Sequence, residues 1–202
     1  MISLNKSELS AKEQYKILIG SIIPRPIAFI TTQSDKGIVN LAPFSFYNIV
    51  SHNPAILSVS IQRKDGQMKD TTRNILASKE AVVQNVSLDN VDKINQAAAN
   101  MAYNESELER TGMTLAESAV LKTPGVREAA VRFETSLYQH VPIKNDDESI
   151  IADLILLKVE HYHLDPDVYQ DSYINYDNLK PLSRLAGNDY AELGNLLTIE
   201  RP

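Results

Sequence analysis

Proline punctuates the stretch that most narrows what this chain can fold into. Pro24 and Pro26 fix two backbone φ angles and remove two N–H donors, so no helix runs through them. Directly after them comes Ile27-Ala28-Phe29-Ile30-Thr31-Thr32, a β-branched and apolar run that reads as a strand inside a sheet. A polar turn, Ser34-Asp35-Lys36-Gly37, leads to a second run ending Asn40-Leu41-Ala42-Pro43-Phe44-Ser45-Phe46. Asn53-Pro54 marks the turn before a third run, Ala55 to Ile61. In that third run Leu57, Val59 and Ile61 share one face, while Ser58 and Ser60 share the other.

Upstream, Ser10 and Glu13 have capping-box spacing at the head of a short helix. Its apolar residues Tyr15, Leu18 and Ile19 predict a structural buttress that ends before Pro24. Downstream, Asp70 predicts an N-cap for a helix over Thr71 to Lys79. Ala81 to Val86 reads as a strand. Asp89 predicts the cap of a helix whose Val91, Ile94, Ala98 and Met101 recur at helical spacing. Residues Tyr103 to Gly125 read as an insertion with helical pieces at Ser106 to Arg110 and Leu115 to Ala119, a candidate lid or partner contact. Two long strands follow, Ala129 to Val141 and Ser149 to His161, around the polar tip Asn145 to Glu148. No helical crossover separates them, so an antiparallel barrel is expected. From Asn175 the chain is an irregular C-terminal tail. The whole, 1–202, is expected to form one domain.

Composition excludes several chemistries. The chain has no cysteine, so disulfides, thiolate metal sites and cysteine nucleophiles are absent. A net charge of −6 disfavours nucleic-acid and anionic-membrane binding. There is neither an apolar leader nor a run of transmembrane length, so a cytoplasmic protein is expected. No Gly-x-Gly pair occurs, which removes the Rossmann fingerprint and the P-loop. A Gly-x-Ser-x-Gly elbow is missing too.

Three constellations remain. The segment Lys69 to Asn74 offers a helix N-terminus with unpaired N–H groups, hydroxyls from Thr71 and Thr72, and positive charge from Lys69, Arg73 and Arg63, which suits a phosphate. An ordinary capped helix with solvated basic neighbours explains it too, since a capping Asp70 would repel an anion unless turned away. Around Asn40 to Phe46, small residues would let backbone groups approach a flat heterocycle, and Pro43 makes the strand bulge or break. A bulged edge strand reads the same way. His161 and His163 share a strand face, the spacing of a metal pair. With no third ligand nearby in sequence, exposed strand histidines are the simpler reading. Asp146-Asp147-Glu148 lacks EF-hand alternation and reads as a solvated tip.

Pro24 to Thr32, Asn40 to Tyr47 and Lys69 to Ile75, in this order and spacing, resemble the flavin reductase-like family, which includes flavoredoxins and the reductase components of two-component monooxygenases. Arg184 to Tyr190 is similar to its C-terminal Arg-Leu-Gly-Gly-x-x-Tyr, with Ala186 at one Gly. The resemblance implies a mainly β fold with added helices, an antiparallel, FMN-binding split β-barrel acting as a homodimer. By motif position, Thr31, Thr32, Asn40, Leu41, Ala42, Pro43 and Ser45 would face the isoalloxazine and ribityl chain. Ser60, Arg63, Lys69, Thr71 and Thr72 would lie toward the phosphate. The family's Gly-x-His has no counterpart at Glu148-Ser149-Ile150, so no histidine role carries over and no catalytic residue is assigned. The implied activity passes reducing equivalents from NADH or NADPH through FMN to flavin, oxygen or a partner such as a monooxygenase. The alternative is an FMN-binding electron carrier without its own NAD(P)H activity.

Overall fold

In the computed structural model, which describes residues 1–99, 101–102 and 105–201, the chain enters through a helix and then builds one dominant sheet. Helix α1 (Ala11–Ser21) starts at Ser10, whose side chain accepts from Glu13 N while Glu13 reaches back to Ser10 N. The main strands are β1 (Ala28–Gln33), β2 (Val39–Phe44), β3 (Tyr47–His52), β4 (Ala55–Gln62), β5 (Glu80–Asn85), β6 (Val131–Lys144) and β7 (Ile150–Leu164). Helix α2 (Asp70–Ser78) lies between β4 and β5, and α3 (Val91–Gln96) follows β5.

The seven strands pair antiparallel in the order β2-β1-β5-β6-β7-β4-β3. The two outermost strands, β2 and β3, are consecutive in sequence and joined only by Ser45 and Phe46. Such a short link cannot span an open seven-stranded sheet, because strands in a sheet lie roughly 4.8 Å apart. The sheet therefore curls until its edges meet, and the N–H of Ser60 on β4 donates to the Phe46 carbonyl at 2.8 Å, carrying the β3–β4 ladder into that short link.

Curling separates two cores. Inside, Ala28, Ile30, Val59, Ile61, Val83, Ile155 and Leu157 pack together with Ile75 of α2. On the other face of β1 and β2, Phe29 and Leu41 pack with Val86, with Ile94 of α3 and Ala97 just beyond it, and with Val126. The near-continuous apolar run of β1 is thus explained, since it is central and buried on both faces. The long β6–β7 hairpin turns at Asn145, whose side chain accepts from Asp147 N and Ser149 N.

Several expectations are corrected. Strand β3 was not anticipated, because its apolar Ile49 is 72% exposed and Val50 also faces outward. Lys69, not Asp70, holds the N-cap position of α2. Asp70 is its first helical residue and pairs with Arg73. Lys79 falls beyond the helix, in a left-handed conformation. Asp89 does not cap α3 but reaches Lys180, and Ala97 rather than Ala98 enters the core. That helix ends at Gln96, short of Met101. Leu115 to Ala119 is not helical. Leu115–Ala116 pairs with Gly125–Val126, and the following N–H groups of residues 119–121 turn to Glu134 instead of closing a helix. Helix Leu108–Thr111 is present, while Tyr103 lies outside the described residues. On α1 only Ile19 is buried; Tyr15 and Leu18 are 54% and 56% exposed. Arg25 instead anchors that helix, donating to the Ile19, Ile22 and Leu185 carbonyls at 2.7 Å each.

Phe29→Ala should open a cavity in the outer core and lower unfolding stability by about 3–5 kcal/mol. Urea denaturation would show a lower midpoint at unchanged slope. A shift equivalent to less than about 1 kcal/mol would contradict this packing.

Candidate functional site

The N-terminus of α2 faces the start of β2 across a cleft of about 430 Å³. Asn40, Ala42, Pro43 and Phe44 form one wall; Lys69, Asp70 and Thr71 form another. Side-chain chemistry ties the walls together, with Asn40 Nδ2 donating to Thr71 Oγ1 at 3.0 Å. Lys69 makes no capping hydrogen bond through its side chain, so the first-turn N–H groups of α2 remain to receive an acceptor. Its Nζ lies 6.0 Å from the centre of the Phe44 ring. The Asp70 carboxylate is engaged with Arg73 Nη1 at 2.6 Å, which pairs the acidic charge beside this helix start.

A second cleft of about 390 Å³ abuts the first, sharing Pro43, Phe44 and Ala98. It adds Ser45, Phe46, Arg25, Arg184 and Tyr190. The tail reaches this point because Ser183–Arg184 pairs with Arg25–Pro26 and with Tyr190–Ala191. Arg184 stacks on Tyr190, 4.5 Å from its ring centre, and bonds the Gly187 carbonyl. The two clefts form one groove bent around Pro43–Phe44, each part large enough for a small organic ligand, about 300 Å³ or more.

Of the residues singled out from the sequence, Asn40, Ala42, Pro43, Lys69 and Thr71 line the first cleft, and Ser45 lines the second. The others stand behind these walls. Thr31 donates to the Pro124 carbonyl at 2.6 Å, and Thr32 accepts from Asn74 of α2 at 3.1 Å. Leu41 is core, Thr72 points inward fully buried, and Ser60 receives Gln62 Nε2 at 3.3 Å. Arg63 forks onto Asp153 at 2.8 and 2.9 Å, and His140 Nε2 meets the same carboxylate at 2.9 Å. This buried cluster stitches β4, β6 and β7. Burial pushes the Asp153 carboxyl up, but the hydrogen bonds from Arg63 and His140 outweigh it and hold the carboxyl below its ordinary value.

One cleft residue escaped the sequence reading. Glu107 is buried, and its Oε2 accepts the outward N–H of Leu41 at 2.9 Å, while Ser106 Oγ donates to the Val39 carbonyl at 2.5 Å. Together they cap the free edge of β2 from the insertion. Burial, with Asp70 nearby, pushes the Glu107 carboxyl above its ordinary value despite the Leu41 hydrogen bond. No local motif marks this role, since Glu107 lies 66 positions from Leu41.

Comparison with known proteins places these features in context. A family model described as a flavin reductase like domain matches residues 19–181. The uncharacterized protein YwrF of Bacillus subtilis (strain 168) is 48% identical over 204 residues, covering 100% of both chains. Nitrilotriacetate monooxygenase component B from Bacillus cereus superimposes with a TM-score of 0.96 at 43% identity, covering 98% of each chain. Flavoredoxin of Desulfovibrio vulgaris (Miyazaki F) gives a TM-score of 0.74 at 16% identity over 87% of this chain and 90% of its own, a likeness of fold alone. The curled antiparallel sheet is the split barrel expected from the motifs.

Two outcomes follow from the buried acids. Arg63→Met would strand the Asp153 charge and cost about 3–5 kcal/mol in urea unfolding at pH 7. Because the folded Asp153 value is depressed, its contribution is present above the unfolded value of about 3.9 and is lost as pH falls through the folded one. The variant's deficit should therefore shrink in acid; a deficit independent of pH would contradict the ion pair. Glu107→Gln removes a charge whose folded value is raised, so it should not destabilise at pH 8 and should help less at pH 5. Marked destabilisation at pH 8 would contradict that assignment.

Proposed function

The chain belongs to the flavin reductase-like family, and on that premise we propose that it is an FMN-binding oxidoreductase. In this reading NADH or NADPH supplies the reducing equivalents, and flavin, oxygen or a partner protein receives them. The observation that carries the reading is the bent groove, with a helix N-terminus and Lys69 at one end and small residues along β2 in the middle. The donor set fits the cofactor. Thr71, Lys69 and the first-turn N–H groups of α2 would hold the phosphate. Asn40, Ala42, Pro43 and Ser45 would border the ring system and its ribityl chain.

Bound FMN would supply the hydride and electron chemistry, so the described residues of the groove need not include an acid–base dyad. This chain's residues bind, orient and set charge. Lys69 balances the phosphate, and Arg73 keeps the Asp70 carboxylate engaged. Asn40 fixes the Thr71 hydroxyl as an acceptor, leaving its hydrogen to donate outward. Thr32, through Asn74, holds α2 at its height over β1. Ser60 holds the β2–β3 link through Phe46, and Arg63 braces the barrel wall beyond it.

A homodimer fits the surface beside the groove. Leu18, Ile22, Phe46, Ile49 and Val50 are exposed there, around a third, apolar hollow that shares Ser45 and Phe46 with the second cleft. A second copy covering them would also wall the groove. The likeness to a monooxygenase component B supports a monooxygenase as the electron-accepting partner. No described helix is long and apolar enough to cross a membrane.

The test is an FMN titration followed by anaerobic mixing with NADH and NADPH. Wild type should bind FMN and lose the oxidised-flavin absorbance with at least one donor. Lys69→Ala combined with Thr71→Ala should weaken FMN binding roughly 100-fold or more, the loss of charge-assisted contacts worth about 1.5–3 kcal/mol each. An unchanged FMN dissociation constant would overturn the placement. Tight binding without bleaching by either nucleotide would favour the electron-carrier reading.

A further inference from the structure

Outside the groove, three ligand-type side chains converge where β6 and β7 run side by side. His161 and His163 alternate along β7 and project from one face, with ring centres 4.8 Å apart. Glu134 stands opposite His161 on β6, next to a break in the register that brings its carboxylate toward both rings. His163 Nε2 lies 2.5 Å from Glu134 Oε1. One ligand atom from each of the three residues lies within 4.8 Å of the others.

The carboxylate is built for a charged role. Glu134 is 0% exposed. Burial pushes its carboxyl up, yet donors from Ala119, Val120 and Leu121, at 2.5, 2.8 and 3.0 Å, act with His163 to hold it below its ordinary value. Those backbone donors fix its position as outer-shell partners fix a metal ligand. Arg132, opposite His163, is the nearby cation, and its Nη1 is turned to the Val126 carbonyl at 3.0 Å. His161 is half-buried, and its ring makes no hydrogen bond among the described residues.

We propose that Glu134, His161 and His163 form a binding site for a divalent transition-metal ion, with Zn²⁺ the best match. Two imidazole nitrogens and one carboxylate oxygen are a donor set that suits Zn²⁺, at bond lengths of about 2.0–2.2 Å. The ion takes the place of the hydrogen between His163 and Glu134, and the Nε2–Oε1 separation widens to about 3.4 Å, as tetrahedral ligation at those lengths requires. The coordinating imidazoles are neutral, so a displaced proton passes to the other ring nitrogen or to solvent. Both histidines reach the surface, which leaves the fourth position to water. Because Glu134 also gathers the turn at 119–121, the bound ion rivets that part of the insertion onto the two longest strands.

The test uses the full chain after chelator treatment, titrated with Zn²⁺ by calorimetry and with Co²⁺ by visible absorption. One Zn²⁺ should bind per chain, and Co²⁺ should give the d–d bands of four-coordinate N/O ligation. His161→Ala should weaken Zn²⁺ binding by roughly 10- to 100-fold or more, while the metal-free melting temperature stays unchanged. His52→Ala should leave binding intact. Absence of stoichiometric Zn²⁺ binding, wild-type affinity in His161→Ala, or loss of binding in His52→Ala would each overturn the site. None of these readouts depends on flavin.

Discussion

The two-residue link between β2 and β3 constrains everything else in this structure. These strands occupy opposite edges of a seven-stranded sheet yet follow one another directly in the chain. The sheet has to roll up, and the roll divides the apolar residues into an inner core and an outer one. The groove lies along the same seam. Pro43, which has no N–H, and the capped edge of β2 leave backbone there that ladder pairing does not consume. The closure that forms the barrel therefore also forms the candidate site.

Around this frame, buried carboxylates do the polar stitching, each in its own way. Asp153 is held by Arg63 and His140, and Glu134 by three backbone N–H groups and His163. Glu107 accepts from the Leu41 N–H and has an acidic neighbour, and it is the one of the three whose carboxyl is pushed above its ordinary value. Removing a partner from the first two leaves a charge buried without compensation, whereas removing the charge of the third relieves a cost. The insertion is bound to the barrel through two of these acids, Glu107 at its start and Glu134 at its end, and through Glu80, which accepts from Lys122 and Thr123. Its irregular backbone is thus satisfied by the sheet rather than by its own helices.

Much of this was legible in the sequence where local rules suffice. The Ser10–Glu13 capping box, the doubly buried β1, the alternation of β4 and the Asn145 turn all followed from spacing. The meeting of Asn40, Ala42 and Pro43 with the start of α2 came instead from the family resemblance, since spacing alone left a bulged edge strand and a capped helix as equal readings. What stayed hidden depended on distant parts of the chain. Ile49 and Val50 face outward from the barrel, so β3 has no inward apolar pattern to read. Thr31, Thr32 and Thr72 are chemically the same as Thr71, yet Thr31 and Thr32 point to opposite faces of β1, toward Pro124 and Asn74, and helix phase turns Thr72 inward. Arg63 looked like a phosphate ligand until Asp153, 90 positions later, came beside it. Glu134 meets His163 only through a register shift between β6 and β7, which residue spacing cannot reveal.

The central claim is that the groove along the barrel seam is where the cofactor sits. A crystal structure of the protein grown with FMN measures this directly. Density for the phosphate against Thr71 and the first turn of α2, with the ring system beside Ala42 and Pro43, is the predicted result. FMN ordered on any other face, with this groove filled only by solvent, would contradict the account.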